Sequence, residues 1–125
     1  MGMRSNVFAL PVGTVLSASS DSTKLPGQGF NGQPQNQGIP VGEYDILALD
    51  FTVTAITGQL VFSYDRLGAD NLWYPVYTQA FTSPGQASTT LAGQNSSSQE
   101  FGLVGRLRWT VTGGTATCSA SIVGK

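Results

Sequence analysis

The chain of 125 residues has no histidine, and only 10% of its residues are charged, well below the quarter that is usual in globular proteins. The lack of histidine excludes Ser-His-Asp and Cys-His catalysis and nearly all zinc and iron sites. A net charge of −1 provides no attraction for nucleic acid or for an anionic membrane. We therefore expect no enzyme and no cofactor, and neither nucleic acid nor a membrane as a partner.

Helix formers, cysteine and long apolar runs are also scarce. Two Glu, two Lys and two Met argue against a helical bundle. The one cysteine, Cys118, has no partner for an internal disulfide, and we expect it in the core as a small hydrophobic residue. No run of eighteen apolar residues is present. The first residues are too weakly basic for a signal peptide, so we expect a soluble, intracellularly made protein.

Small polar residues dominate the composition of the chain, since Gly, Ser, Thr, Asn and Gln make up 56 of the 125 residues. Residues 21–42 are rich in Gly, Pro and Gln with almost no apolar periodicity, and predict an extended arm in which Phe30 is one of few anchors. Before the arm, Pro11 confines a strand-like piece to a sheet edge or a break. The predicted organisation is residues 1–42 as strand piece and arm, followed by a β-domain over residues 43–125.

The segment 105–124 alternates apolar and polar residues around Gly113-Gly114, a dipeptide that favours a two-residue hairpin turn. The hairpin register pairs Trp109 with Cys118 on an apolar face. On the solvated face the same register places Arg106 and Arg108 opposite Ser121 and Ser119. These arginines could contact an acidic partner, although solvated strand arginines are the commoner case.

The segment 44–65 alternates in the same way around a turn at residues 57–58. This register sets Asp50 against Asp65, and like charges directly opposite each other destabilise a sheet. One interpretation is a cation site to which Asp70 of the next loop adds oxygen ligands, with calcium as the ion. The other is that the strands splay and Arg66 or solvent neutralises the pair, which the absence of a dense D-x-D-x-D spacing favours.

Two amphipathic hairpins bury their apolar faces best against each other, which predicts an all-β, antiparallel β-sandwich or jelly-roll-like single domain with an extended N-terminal segment. Further short strands are expected at residues 86–92 and 99–104.

The strand predicted over residues 72–81 places Trp73, Tyr77 and Phe81 on one face, with rings about 13 Å apart at four-residue steps. Pro75 makes this an edge or bulged strand. Three interpretations remain open for the aromatic face. It is buried, it is the centre of a subunit interface, or it is a platform that stacks on sugars.

The runs YDRLGADNLWYPVY and GRLRWTVTGGTATCSASIVGK resemble small β-sandwich virion structural proteins of tailed bacteriophages, many of which end in an R-x-R-W-x-V-x-G hairpin and a Gly-Lys terminus. The resemblance covers roughly residues 43–125. It implies a non-enzymatic virion structural protein, made in the host cytoplasm, and within that group a capsid decoration (cement) protein that binds the assembled head.

The partners implied are the major capsid protein or other virion proteins, together with further copies of this chain in a dimer or trimer. The candidate contact residues are Phe30, Trp73, Tyr77, Phe81, Arg106 and Arg108. The alternatives are a phage tail or neck accessory protein, and a carbohydrate-binding module with Trp73 and Tyr77 as the stacking platform.

Overall fold

Alternating strands build two antiparallel sheets in the computed structural model, which describes residues 5–24, 38–92 and 101–125. The strands of these residues are β1 (Ser5–Leu16), β2 (Ser20–Asp21), β3 (Ile39–Pro40), β4 (Ile46–Ile56), β5 (Gln59–Leu67), β6 (Trp73–Phe81), β7 (Gly85–Ala92), β8 (Val104–Thr112) and β9 (Ala116–Gly124). Sheet A has the order β1-β9-β4-β7, and sheet B has the order β2-β8-β5-β6, with β3 also paired to β8. The predicted fold class, an antiparallel β-sandwich of one domain, is confirmed.

The core lies between the sheets and takes every second residue of the central strands, because successive side chains of a strand point to opposite faces. Phe51 of β4 and Phe62 of β5 stack across the two sheets with ring centroids 4.7 Å apart. Both rings are almost completely buried, and burial of such a side chain stabilises the fold by about 1.5–3 kcal/mol. The alternation seen in the sequence therefore identifies the buried face of each strand.

The two predicted hairpins, in contrast, are wrong. Strands β4 and β9 are neighbours in sheet A, whereas β5 and β8 are neighbours in sheet B. Trp109 and Cys118 are both buried, as expected, but they lie in opposite sheets. Trp109 pairs with Phe62, and Cys118 pairs with Val53.

The glycines of both turns lie in connections between the two sheets and not in hairpins, because each turn carries the chain from one sheet to the other. The backbone N–H of Thr57 donates to the carbonyl of Thr115 at 2.8 Å. Gly58 and Gly113 have φ values of 78° and 76°, a region that favours glycine. A Cβ on Gly114 would lie 2.3 Å from the Thr57 carbonyl oxygen. The two sheet-crossing turns thus pack directly on each other at one end of the sandwich.

The described parts of residues 1–42 contribute to both sheets. Strand β1 is an edge strand of sheet A, as Pro11 predicted, and its pairing with β9 shifts register twice, between Asn6 and Phe8 and again between Leu10 and Thr14, the interval that contains Pro11. Strands β2 and β3 line the edge of β8 in sheet B. Phe30 and the rest of residues 25–37 lie outside the described residues.

The two further strands expected beyond the hairpins differ in outcome. The one expected at 86–92 is β7. Within the strand expected at 99–104, residues 101–103 form a turn and a bend instead, and β8 begins only at Val104.

Candidate functional site

The outer face of sheet B carries a charged cluster, which consists of Asp21, Asp65, Arg106 and Arg108. Asp65 follows Tyr64 in β5, and since Tyr64 points into the core, Asp65 points away from it. Its side chain is nevertheless only 1% exposed. A carboxylate buried to this degree requires charged partners, because desolvation of an isolated ion is very unfavourable.

Two arginines of β8 supply those partners. Arg106 is directly opposite Asp65 in the register and donates from Nε to Oδ2 at 2.7 Å. Arg108, two residues further along the same face, donates from its own Nε to the same oxygen at 2.8 Å and from an Nη to Oδ1 at 3.2 Å. Ser63 donates its hydroxyl to Oδ1 at 2.7 Å. Both carboxylate oxygens are therefore satisfied by charge-assisted or hydroxyl hydrogen bonds.

The cluster extends to the neighbouring elements on both sides. Arg106 reaches Asp21 of β2 at 3.5 Å, and its guanidinium carbon lies 4.7 Å from the ring centroid of Trp73 in a cation–π contact. Next to Asp21, Ser22 accepts a hydrogen bond from the backbone N–H of Leu107 at 3.1 Å. The charged cluster thus joins β5, β6 and β8 to the short β2 strand.

Burial by itself raises the pKa of Asp65, but the hydrogen bonds from Arg108, Ser63 and Arg106 outweigh it and hold that pKa below its usual value. The same contact with Asp65 raises the pKa of Arg108. Asp65 and Arg108 therefore stay charged near neutral pH, and Asp65 is poorly suited to act as a general acid. Arg106 and Arg108 lie against Asp65 rather than opposite Ser121 and Ser119, so that part of the sequence prediction is wrong.

The three aspartates of the predicted cation site do not come together. Asp50 is exposed in sheet A, where it pairs with Ser88 and Ser121, while Asp65 is in sheet B. Asp70 lies in the exposed loop between β5 and β6 and accepts hydrogen bonds from the Tyr74 hydroxyl and, at 3.1 Å, from the Leu72 amide. Among the described residues, no group of three or more His, Cys, Asp or Glu side chains is placed to hold a metal ion.

The predicted aromatic face of β6 is interrupted by a bulge. Tyr77 pairs with Tyr64, but the next pair joins Pro75 to Asp65, so Val76 is an extra residue that reverses the alternation. Trp73 consequently lies on the outer face beside Arg106. The prediction that Pro75 marks an edge or bulged strand is confirmed, since β6 is both.

The other two members of the predicted aromatic face point inward. Tyr77 is stacked on Phe51, with centroids 6.4 Å apart and ring planes 6° apart. Phe81 is buried and meets Phe62 edge-on at 6.3 Å. Trp73, Tyr77 and Phe81 therefore form no common exposed face, and a sugar-stacking platform of Trp73 and Tyr77 does not exist in this fold.

A second surface feature lies at one end of the sandwich, where three large apolar side chains are exposed. Leu72, Tyr74 and Leu103, which we call the end patch, are 59%, 37% and 65% exposed. Leu103 lines a cleft of about 450 Å³ together with Gly68, and Leu72 and Tyr74 adjoin the cleft through Gly68. The Leu72 carbonyl accepts a hydrogen bond from the Gly68 amide, which fixes the loop beside the cleft.

Arg66 connects the two halves of the end patch. Its guanidinium carbon lies 5.1 Å from the ring centroid of Tyr74, and its side chain also passes next to Gly102, the neighbour of Leu103. Arg66 thus lies between Tyr74 and the segment that carries Leu103, so the exposed apolar side chains are grouped around one arginine at one end of the sandwich. Exposed apolar groups gathered in one place typically mark interaction sites.

Sequence reasoning did not identify the contribution of Asp21 or Ser22 to the charged cluster, or that of Leu103 to the end patch. The first two lie in the Gly/Pro/Gln-rich region, where no periodicity indicates which side chains pack. Leu103 follows Gly102, which has a positive φ of 69°, so the local strand pattern does not extend to it.

The chain matches no model of a known protein family and has no significant match among curated proteins or solved structures. The described residues include no helix long and apolar enough to cross a membrane.

Proposed function

We propose that this protein is a non-enzymatic structural protein of a bacteriophage virion, and specifically a decoration protein that binds the assembled capsid through the end patch. The observation that carries the binding role is the exposure of Leu72, Tyr74 and Leu103 at one end of the sandwich, beside a cleft that Leu103 lines. Exposed apolar surface is costly to maintain in water unless a partner covers it.

The chemistry of the charged cluster supports a structural rather than a catalytic role. Asp65 is ion-paired with two arginines, and its oxygens also accept from Ser63, so the carboxylate has no free lone pair directed at a substrate. An electrostatic clamp of this kind stabilises the packing of elements. The virion assignment itself comes from the resemblance of residues 64–77 and 105–125 to phage virion proteins.

Co-sedimentation tests the proposal. The purified chain is mixed with expanded capsids of the phage whose genome carries this gene, and bound protein is measured after pelleting. We expect saturable binding to capsids and about a tenfold or greater loss of affinity in the double variant L72S/L103S, because two exposed apolar anchors are removed.

The matched control is Val12→Ser, which removes an apolar side chain that is 88% exposed on the edge strand β1, outside the end patch. It should bind as the unmodified chain does. Absence of binding to capsids would overturn the decoration role, and binding to purified tails instead would assign the protein to the tail. Equal losses in both variants would contradict the role of the end patch.

A further inference from the structure

The two sheets end in four edges, and one of them lacks the features that normally prevent strands from pairing with other chains. Natural proteins interrupt exposed edges with proline, bulges, charged side chains or very short strands. Strand β1 contains Pro11 and shifts its register twice, and β6 contains Pro75 and a bulge. The edge formed by β7 has none of these features.

Strand β7 pairs with β4 over eight consecutive positions, from Val53 opposite Gly85 to Ile46 opposite Ala92, without a register shift. It contains neither proline nor a charged residue. No described residue pairs with its outer edge between Gly85 and Leu91. This part of β7 therefore presents a regular row of backbone donors and acceptors.

The edge of β8 in sheet B shows how the same fold protects a comparable strand. There β2 and β3 pair with two parts of β8, and two serine hydroxyls accept hydrogen bonds from backbone amides that face this edge. Ser19 accepts from Val111 at 2.9 Å and Ser22 from Leu107 at 3.1 Å. Nothing equivalent covers Gly85–Leu91 among the described residues.

We propose that the outer edge of β7 is a homodimerisation site, at which β7 of a second copy of this chain adds antiparallel to it. The two copies of sheet A would then form one continuous eight-stranded sheet about a twofold axis. The pairing would satisfy backbone groups of both strands through the same main-chain hydrogen bonds that hold β7 to β4.

The composition of β7 favours a second copy over a charged partner. Twofold antiparallel pairing places a strand against itself, so any charge on it would come close to its own like charge. The exposed outward side chains of β7 are Gln86, Ser88 and Thr90, all of them neutral and small or flexible. Ser and Thr also form favourable cross-strand hydrogen bonds.

The nearest charge on this part of sheet A is Asp50, which pairs with Ser88 across β4 and β7. In the dimer, three strand spacings of about 4.8 Å would separate Asp50 from its symmetry mate. This distance exceeds the Debye length of about 8 Å at physiological ionic strength, so the carboxylates would hardly repel each other.

Light-scattering mass determination after size-exclusion chromatography, over a dilution series of the full chain, tests this inference. We expect twice the monomer mass at high concentration. The double variant S88K/T90K should dissociate with at least a tenfold weaker dimer constant, since it places like charges on both copies of the edge. The matched control T110K/T112K adds the same charges at two exposed alternate positions of β8, which lies on the far side of sheet B from β6 and away from β7, and should remain dimeric.

Hydrogen exchange of the unmodified chain provides a second measurement that does not depend on the folding of a variant. Amides of residues 85–91 that face the free edge should exchange slowly at high concentration and rapidly on dilution, while those of β9 at the sheet centre remain unchanged. A monomer at every concentration, equal dissociation of both variants, or a dimer that S88K/T90K leaves intact would each overturn the inference.

This inference goes beyond the proposed function. The end patch contains no residue of β7, and the mass measurement requires no capsid. A chain that dimerises without binding capsids, or that binds capsids as a monomer, would therefore contradict one proposal and leave the other in place.

Discussion

The outer faces of the two sheets differ, although both sheets contribute the same kind of face to the core. On sheet A, the central strands β4 and β9 direct mainly Ser, Thr and Ala to the outside, and their one charged residue is the exposed Asp50. On sheet B, the central strands β5 and β8 bury Asp65 beneath Arg106 and Arg108. Both aspartates point outward from a central strand, yet one is solvated and the other is enclosed.

This difference indicates what each face contributes. The charged cluster of sheet B reaches beyond its own strands to Asp21 of β2, and so it helps to hold a short and otherwise weakly paired strand at the edge of β8. Sheet A has no short edge strand that needs such a link, because its edge strand β1 pairs with β9 over most of its length. The cluster therefore compensates locally for the short pairing of β2.

The largest effect is expected from replacing the two outward aspartates. Asp65→Asn should destabilise the protein by about 3 kcal/mol, because it leaves Arg108 without its ion-pair partner and Arg106 with only the longer contact to Asp21. Asp50→Asn should change stability by less than about 0.5 kcal/mol, as is usual for an exposed site. Urea denaturation followed by fluorescence measures both. Equal effects would show that the two faces do not differ energetically.

A smaller effect is expected from acid. Because the folded-state pKa of Asp65 is lowered, its contribution to stability is complete above its unfolded pKa of about 4 and is lost as pH falls through the folded pKa. The stability difference between the unmodified chain and Asp65→Asn should therefore shrink below about pH 4, since a protonated Asp65 resembles Asn. Denaturation curves between pH 7 and pH 2 test this, and a constant difference over that range would contradict it.

The smallest effect is expected from the link between the 3₁₀ turn at Ser22–Lys24 and β8. Ser22→Ala removes the acceptor of the Leu107 amide and should cost about 1–2 kcal/mol, because that buried donor loses its partner. Ser121→Ala, on the outer face of sheet A, is the control and should cost less than about 0.5 kcal/mol. Thermal unfolding measures the difference. If the control loses as much as Ser22→Ala, the edge of β8 is not held by this bond.

The sequence pattern predicted which face of each strand is buried and which strands lie at a sheet edge. It was much less informative about which strands pair with each other. Alternation correctly placed Phe51, Trp109 and Cys118 in the core, and Pro11 and Pro75 correctly marked edge strands. Both effects are local, because side-chain direction and the missing amide of proline depend only on the residue and its own strand.

The hairpin predictions failed because a short turn between two alternating strands has two solutions. The chain can return within the same sheet, or it can cross to the facing sheet, and both solutions bury the same alternate residues. Gly58 and Gly113 suit either one, since each provides a positive φ. The choice depends on neighbours far along the chain, such as β1 and β4, which flank β9 on its two sides.

Candidate-site predictions depended on those pairings and failed with them. Asp50 and Asp65 were placed together by a hairpin that does not form, and Trp73 and Tyr77 by an alternation that the bulge at Val76 reverses. One inserted residue moves every following side chain to the other face. A strand whose position is predicted correctly can therefore still have its buried and exposed residues predicted wrongly.

The sequence by itself determined that this chain forms antiparallel strands around one core, which residues of its central strands are buried and where proline limits strand pairing. Only the tertiary structure decided that Asp65 lies beneath Arg106 and Arg108, that the side chains of the end patch gather at one end of the sandwich, and that β7 has a regular edge to which no described residue pairs between Gly85 and Leu91. The physical reason is that burial follows from local periodicity, whereas the pairing of strands is a competition among segments distant in sequence, which is decided by how two whole sheets pack.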